Sequence, residues 1–256
     1  MRALLPVPAG GTHPEVDVHA HYATDWLDRG GLRVNFVTAV DGAVSAAGLS
    51  RGLQTPGDNT VFAALRDLAD VVHVGSGTAV AEGYGPVRLS ARRQAVRRSF
   101  GLAEVLPVAV QSRSLQLDPQ AELFTAAEPG ARTIVLTCAA ADPGRRQALE
   151  AVADVVDCGD ETVDPALARR ALEDRGYSRI LSEGGPSVFA DLAGHGLVDE
   201  LCLSISPTLG GPGPGRITAG AEWTSAVPLT LAGLLEDDGA LFCRYRTVER
   251  GRPVSR

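Results

Sequence analysis

Short apolar runs alternate with amphipathic stretches along most of the chain. Arg33-Val-Asn-Phe-Val-Thr-Ala-Val40 has the length and β-branching of a buried strand, and Asp41-Gly42 turns the chain away from it. The segment from Pro56 to Asp70 predicts a helix, with Thr55 as N-cap, Pro56 at the first helical position, and Val61, Phe62, Leu65, Leu68 and Ala69 on one face. Val71 to Gly75 is the next strand. The rhythm recurs with strands at Val105–Val110, Thr133–Thr137 and Arg179–Ser182, a helix from Pro165 to Arg175, and another opening near Pro186. Such alternation predicts an α/β fold, a mostly parallel twisted sheet with helices on both faces. The last part departs from it: Glu200–Ser206, Leu229–Glu236 and Ala240–Val248 read as strands, the last two joined by the hairpin signal Asp237-Asp-Gly239. One domain over residues 33–256, ending in an antiparallel hairpin, is the expectation. Residues 1–32 carry Pro and Gly around a short helical candidate, Tyr22–Arg29, and read as a leader lying on the surface or against a partner chain.

Composition narrows the function classes. Of 256 residues 45% are hydrophobic, enough for a sizeable core, while a net charge of −7 with 5% aromatics argues against a nucleic-acid surface. No stretch approaches the ~20 apolar residues that span a bilayer, and no basic segment followed by an apolar run opens the chain. A cytoplasmic protein without a membrane partner is expected. Cys138, Cys158, Cys202 and Cys243 are too far apart for a metal knuckle and read as buried thiols. His13, His19 and His21 with Asp17 have metal-binding chemistry, but a solvated leader is the preferred reading, so no metal is assigned. His73, between Val72 and Val74, reads as a half-buried structural residue, and the pairs Arg92-Arg93 and Arg97-Arg98 as a solvated helix face. All 24 basic residues are Arg, which closes off Schiff-base lysines and lysine-based phosphate loops. Anions must be held by guanidinium groups, backbone N–H groups and hydroxyls.

Two glycine turns stand where strands end. In Val74-Gly-Ser-Gly-Thr78, Gly75 and Gly77 permit close backbone approach to a ligand. In Ile180-Leu-Ser-Glu-Gly-Gly-Pro-Ser187, Gly184 and Gly185 lead into a helix opened by Pro186, whose N–H groups and dipole suit a pyrophosphate. Either turn alone is also compatible with tight packing, the second less so, but two on one sheet edge can grip one dinucleotide. After Val108-Ala-Val-Gln, Ser112 and Arg113 present a hydroxyl and a guanidinium suited to a 2′-phosphate, or a plain solvated turn.

Asn35-Phe-Val-Thr-Ala-Val-Asp-Gly42, Ala64-Leu-Arg-Asp-Leu-Ala-Asp70, the run from Val74 to Pro86, Glu183-Gly-Gly-Pro186 and Leu197-Val-Asp-Glu-Leu201 together resemble the bacterial pyrimidine reductase family of riboflavin biosynthesis. The match is to its C-terminal reductase domain type, standing without a deaminase domain. The resemblance implies a dihydrofolate-reductase-like fold, NADPH as hydride donor, and a homodimer. It implies reduction of the ribosyl group of an aminopyrimidine ribose phosphate to ribityl, as in a 5-amino-6-(5-phosphoribosylamino)uracil reductase. By the same resemblance Thr38, Thr78, Glu82 and the run Gly185–Asp191, with Ser187 and Val188, fall at the cofactor; Asn35, Arg66, Arg88 and Glu183 fall at the substrate, with Ser50 and Arg51 in the preceding loop. Glu183 and Asn35 are the candidates to assist proton transfer, and Arg66 and Arg88 to clamp the phosphate. The paired zinc signature of HxE with PCxxC is incomplete, since no PCxxC occurs, so deamination is not expected. Some family members have Lys where this chain has Asn35. Two rivals stay open: a same-fold reductase acting on a pterin or another metabolite, which calls for an acidic residue on an early helix facing the pterin, and a non-catalytic nucleotide-binding protein.

Overall fold

The apolar run after residue 30 forms β2 (Gly31–Ala39), and both neighbours run parallel to it: β7 (Arg179–Ser182), with Val34 opposite Ser182, and β8 (Glu200–Ser206), with Asn35 opposite Cys202. Beyond β7 the parallel series continues through β3 (Val71–Gly75), β4 (Val108–Gln111), β5 (Ile134–Thr137) and β6 (Asp154–Asp157). Beyond β8 the sheet turns antiparallel through β10 (Ala240–Thr247), β9 (Leu229–Asp237) and β1 (Arg2–Leu5). The ten strands lie in the order β1-β9-β10-β8-β2-β7-β3-β4-β5-β6. This computed structural model describes residues 1–6 and 15–248; His13 lies outside them. The expected α/β architecture, mostly parallel with an antiparallel C-terminal hairpin, is the one observed.

Helices cover both faces because both are apolar. One core, containing Trp26, Leu65, Val72 and Phe242, lies under α1 (Val18–Ala23), α2 (Trp26–Arg29) and α3 (Pro56–Asp67). The other, containing Val34, Ile180, Leu172 and Phe189, lies under α8 (Pro165–Glu173) and α9 (Pro186–Gly194). The shorter helices are α4 (Ser76–Ala81), α5 (Ala91–Ser99), α6 (Glu122–Thr125) and α7 (Pro143–Glu150). Among the described residues no helix is long and apolar enough to cross a membrane.

Several expectations are corrected. The strand expected from Val105 begins at Val108, after Pro107, which has no N–H for a ladder. The described part of residues 1–32 is not a surface leader: β1 joins the sheet, Tyr22 and Trp26 are 1% exposed, and Trp26 Nε1 donates to Leu68 O at 3.0 Å. His19 pairs with Asp67 at 3.1 Å, and among the described residues no group of three or more His, Cys, Asp and Glu is placed to hold a metal. Arg97 is fully buried rather than solvated. Its guanidinium donates to the carbonyls of Arg66, Asp67 and Ala69 at the end of α3, and to Ala103 and Val105. Carbonyls at the end of a helix run short of N–H partners, and Arg97 acts as the C-terminal cap of α3. Arg93 likewise turns inward, pairing with Asp67 at 2.7 Å.

His73 is 2% exposed rather than half-buried, with Nε2 3.1 Å from Gln111 Oε1. Burial lowers its pKa to about 4. The folded chain therefore binds fewer protons than the unfolded chain between pH 6.5 and about 4, so stability falls as pH drops through that window. The loss is at most about 3 kcal/mol at 1.36 kcal/mol per unit. His21, lowered to about 4 by burial and the nearby Arg244, acts in the same direction. Denaturant titrations at pH 7 and pH 4.5 should show a smaller acid-induced loss for His73→Gln than for wild type. An equal loss in both would assign the acid sensitivity elsewhere.

Candidate active site

The carboxyl ends of β2, β3 and β7 open into a cavity of about 590 Å³ whose other walls are α3, α4 with the turn after it, and the loop 44–54. Side-chain alternation along β2 sends Asn35 and Val37 to one face and Phe36 and Thr38 to the other. Asn35 and Val37 share the α3 face with their register partners Cys202 and Ser204, and they line this cavity. Phe36 leans the other way onto Phe189, with ring centroids 5.3 Å apart. Thr38 lines a second cavity of about 460 Å³ with Asp41, Leu203 and the loop 211–217, where Asp41 Oδ2 accepts from Gly211 N at 2.8 Å.

The polar centre of the first cavity is an ion pair. Arg66, on α3, donates from Nε to Glu183 Oε1 at 2.6 Å and from Nη2 to Oε2 at 2.7 Å; the Tyr84 hydroxyl also donates to Oε2 at 2.7 Å. The guanidinium lies over the Phe62 ring, 4.3 Å from its centroid. Bidentate pairing of this kind is strong and fixes both planes. Although burial alone would lower it, the Arg66 pKa is raised by the Glu183 carboxylate, while burial and Glu183 push the Tyr84 hydroxyl well above its ordinary value, so it stays neutral and donates. Three donors on two oxygens make Glu183 an acceptor. Glu183 is therefore arranged as an acceptor rather than as a proton donor, and Arg66 spends two of its five N–H donors on it. Arg88 is corrected outright. Its side chain is 62% exposed, outside the cavity, and 3.9 Å from Glu128.

Ser50 and Arg51 do line the cavity, from the 3-10 turn Ser50–Leu53. Glu82, expected at the cofactor, accepts from Ser50 N at 2.8 Å and so braces that turn. Asn35 is 9% exposed and, among the described residues, its side-chain oxygen has no partner. A buried amide oxygen without a hydrogen bond is costly unless a ligand completes it.

Tyr84 and Asp58 of the cavity were not singled out from sequence. Tyr84 sits in a Glu-Gly-Tyr-Gly turn with no periodicity to flag it. Asp58, 4% exposed, is hydrogen-bonded to the Ser204 side chain; burial raises its pKa. A signal existed: Asp58 precedes Val61 and Phe62 by three and four residues, and so shares their helix face.

The two glycine turns meet at the cavity's edge, where Gly75 N donates to Gly184 O at 2.8 Å. Gly184 has φ +87°, and a Cβ there would lie 2.5 Å from the Phe36 ring, so packing as well as conformation demands glycine. Gly185 has φ +65°, so a β-branched residue there would strain the turn itself. Gly75 faces Val188 Cγ2, 2.9 Å from an added Cβ, while above Gly77 nothing lies within 4 Å. The N-caps of α4 and α9 are Gly75 and Gly185, without side-chain caps, so the N–H groups behind them, including those of Ser187 and Val188 after Pro186, suit an anion. Thr78 and Pro186 line the cavity beside them. Ser112 is corrected: it is buried, and its Oγ accepts from Leu115 N at 3.1 Å. Arg113, on the same turn, is exposed.

The family described as the RibD C-terminal domain matches residues 31–241. The chain is 27% identical over 176 residues to the 2,5-diamino-6-ribosylamino-4(3H)-pyrimidinone 5′-phosphate reductase of Archaeoglobus fulgidus, covering 68% of this chain and 78% of that one. It is 27% identical over 189 residues to the protein of the same name from Methanothermobacter thermautotrophicus, covering 74% and 83%. Among solved structures, a pyrimidine reductase-like protein of Corynebacterium diphtheriae is 28% identical with a TM-score of 0.79, over 88% of this chain and 94% of that one.

Proposed function

Because the chain belongs to the RibD C-terminal domain family, we propose that it is a riboflavin-pathway pyrimidine reductase that converts the ribosylamino group of an aminopyrimidine ribose phosphate to ribitylamino with NADPH. The observation that carries this reading is the joining of two features across the Gly75–Gly184 hydrogen bond: two uncapped helix N-termini, and a cavity holding the unpartnered Asn35 oxygen and the Arg66–Glu183–Tyr84 cluster. The reduced nicotinamide supplies the hydride. The chain's part is to hold both molecules and keep water out. Open space above Gly77, the N–H groups of Ser187 and Val188, and the Thr78 hydroxyl fit the cofactor's pyrophosphate, and Arg113 fits a 2′-phosphate. A homodimer belongs to this reading, supported by Leu229 and Leu231, which β9 leaves exposed, as does a cytoplasmic location.

The curated relatives carry the diaminopyrimidinone substrate in their names, whereas the family resemblance also covers the uracil form. Both should be offered to the purified protein with deuterated NADPH. A product heavier by one deuterium at the ribose-derived carbon is expected from at least one; NADPH binding without turnover of either would leave a nucleotide-binding protein. A second reading has one observation in its favour, since Asp58 is an acidic residue on the early helix of the kind a pterin reductase needs. Oxidation of NADPH by a dihydropterin but by neither aminopyrimidine would replace the first reading with that one.

Arg113→Ala should weaken NADPH binding roughly ten- to a hundredfold, the value of a guanidinium–phosphate pair of about 1.5–3 kcal/mol, and leave NADH binding nearly unchanged. Calorimetric Kd values for both cofactors test this. Equal losses for both would remove Arg113 from the 2′-phosphate.

A further inference from the structure

We propose that Asp58 is the proton donor of the reduction. This rests on the pyrimidine-reductase reading above and assigns its acid to a residue other than Glu183. Three carboxyl groups line the cavity: Asp58, Glu82 and Glu183. Glu183 is covered by Arg66 and Tyr84, and Glu82 holds Ser50 N. Asp58 alone of the three has a hydroxyl, Ser204, as its side-chain partner, and among the described residues no cation pairs with it.

Its place is favourable. Asp58 enters from α3 opposite Ser204, and Ser204 stands opposite Val37, two residues along β2 from Asn35. The protonatable carboxyl and the unpartnered amide oxygen therefore face one space. The other charged groups around it are accounted for. Arg66, also on α3, and Glu183 at the end of β7 neutralise each other. Tyr84 is neutral, and Arg51, from the 3-10 turn, is exposed. Asp237, which packs beside Gly57 at the start of α3, pairs with the amino group of Met1 at 2.9 Å. Among the described residues no cation offsets the burial of Asp58, and burial moves its equilibrium toward the protonated form.

The step balances. In the ring-opened substrate a C=N bond joins C1′ of the sugar to the exocyclic nitrogen. Hydride delivered by a bound nicotinamide would form a C–H bond at C1′, the π pair would move to nitrogen, and nitrogen would take the Asp58 proton. The products are the ribitylamine and the oxidised nicotinamide. Asp58 is left as a carboxylate and regains its proton from water.

The test uses the full chain. Single-turnover hydride transfer with the aminopyrimidine ribose phosphate should slow by roughly 10²–10⁴-fold in Asp58→Asn, the usual contribution of a general acid. The wild-type rate should fall as pH rises through the Asp58 pKa, and the variant should lose that limb while NADPH Kd is unchanged. Infrared difference spectra of the free protein should show a protonated-carboxyl band that Asp58→Asn removes. Should Asp58→Asn not fold, Ser204→Ala serves instead. The Ser204 hydrogen bond lowers the Asp58 pKa, so its removal should shift the limb to higher pH. A wild type that turns over the substrate without such a limb, or an Asn variant within threefold of wild-type rate, would overturn the assignment and leave the pyrimidine-reductase reading standing. A wild type inactive on every aminopyrimidine offered would overturn both.

Discussion

Replacing Glu200 with Gln is expected to destabilise the fold by about 3–5 kcal/mol, the usual consequence of removing one member of a buried ion cluster. Glu200 is fully buried at the start of β8. Its Oε1 lies 2.6 Å from Arg33 Nη2, and its Oε2 lies 2.9 Å from Arg244 Nε. Burial pushes its pKa up, but the two arginines outweigh burial and hold the carboxyl below its usual range. The arginines in turn reach the N-terminal segment, since Arg33 donates to Tyr22 O and Arg244 to His21 O and Thr24 O. Arg33 also lies over the Trp26 ring, 4.0 Å from its centroid. The cluster thus ties β2, β8 and β10 to α1 and α2. A neutral Gln leaves two buried guanidinium groups uncompensated, and Arg33 already has Nε and Nη1 without partners. For a chain of this size such a loss lowers Tm by roughly 10 °C, at about 2–4 °C per kcal/mol. Denaturant titration at pH 7 measures it. A loss under about 1 kcal/mol would show that water reaches the cluster.

Much of this fold was legible because its strands carry their own pattern. β2, β3, β7 and β8 are apolar runs of ordinary strand length, and Thr55-Pro56 and Pro186 mark helix starts by chemistry that acts locally. The N-terminal strand and the far edge of the sheet were not legible. β6 reads Asp-Val-Val-Asp, two apolar residues between charges, and becomes a strand only because β5 offers its free edge. α7 has the start signal, with Asp142 accepting from Arg145 N and Pro143 following, but only Leu149 is buried, so no apolar stripe betrays it. β1 pairs with a strand more than two hundred residues away. The site divides in the same way. Gly75, Gly77, Gly184, Gly185 and Glu183 could be placed because each stands at or just past the end of a strand, where α/β sheets expose their loops, whereas Asn35, in the middle of β2, was reached only through the family resemblance. The partners could not. Arg66 and Glu183 are separated by 117 residues, and Glu82 is held by the backbone of Ser50, 32 residues away.

That pairing leads to the prediction that separates the two accounts of Arg66. If Arg66 clamps the substrate's phosphate, Arg66→Met raises KM and leaves kcat nearly intact, and Glu183→Gln has an unrelated effect. The geometry requires something else. Arg66 and Glu183 form one unit with Tyr84, so removal of the guanidinium leaves a carboxylate, 2% exposed at its side chain, with the tyrosine hydroxyl as its remaining donor. The expected result for Arg66→Met is a loss of about 3–5 kcal/mol in stability, as for other broken buried pairs. In Glu183→Gln an amide replaces one acceptor oxygen with a donor facing the guanidinium or the hydroxyl, and kcat/KM should fall by roughly a hundredfold or more, about 3 kcal/mol. NADPH Kd should change little in either, because the cofactor turns are joined by the Gly75–Gly184 backbone bond and not by this ion pair. Tyr84→Phe, which removes one of three donors, should lie between wild type and Glu183→Gln. The double variant is the decisive measurement. Groups that act as a unit are strongly non-additive, so Arg66→Met combined with Glu183→Gln should lose little more than the worse single variant, with a coupling energy of about 2–3 kcal/mol. Losses that simply add, with KM alone responding to Arg66, would return Arg66 to the phosphate and leave Glu183 without its anchor.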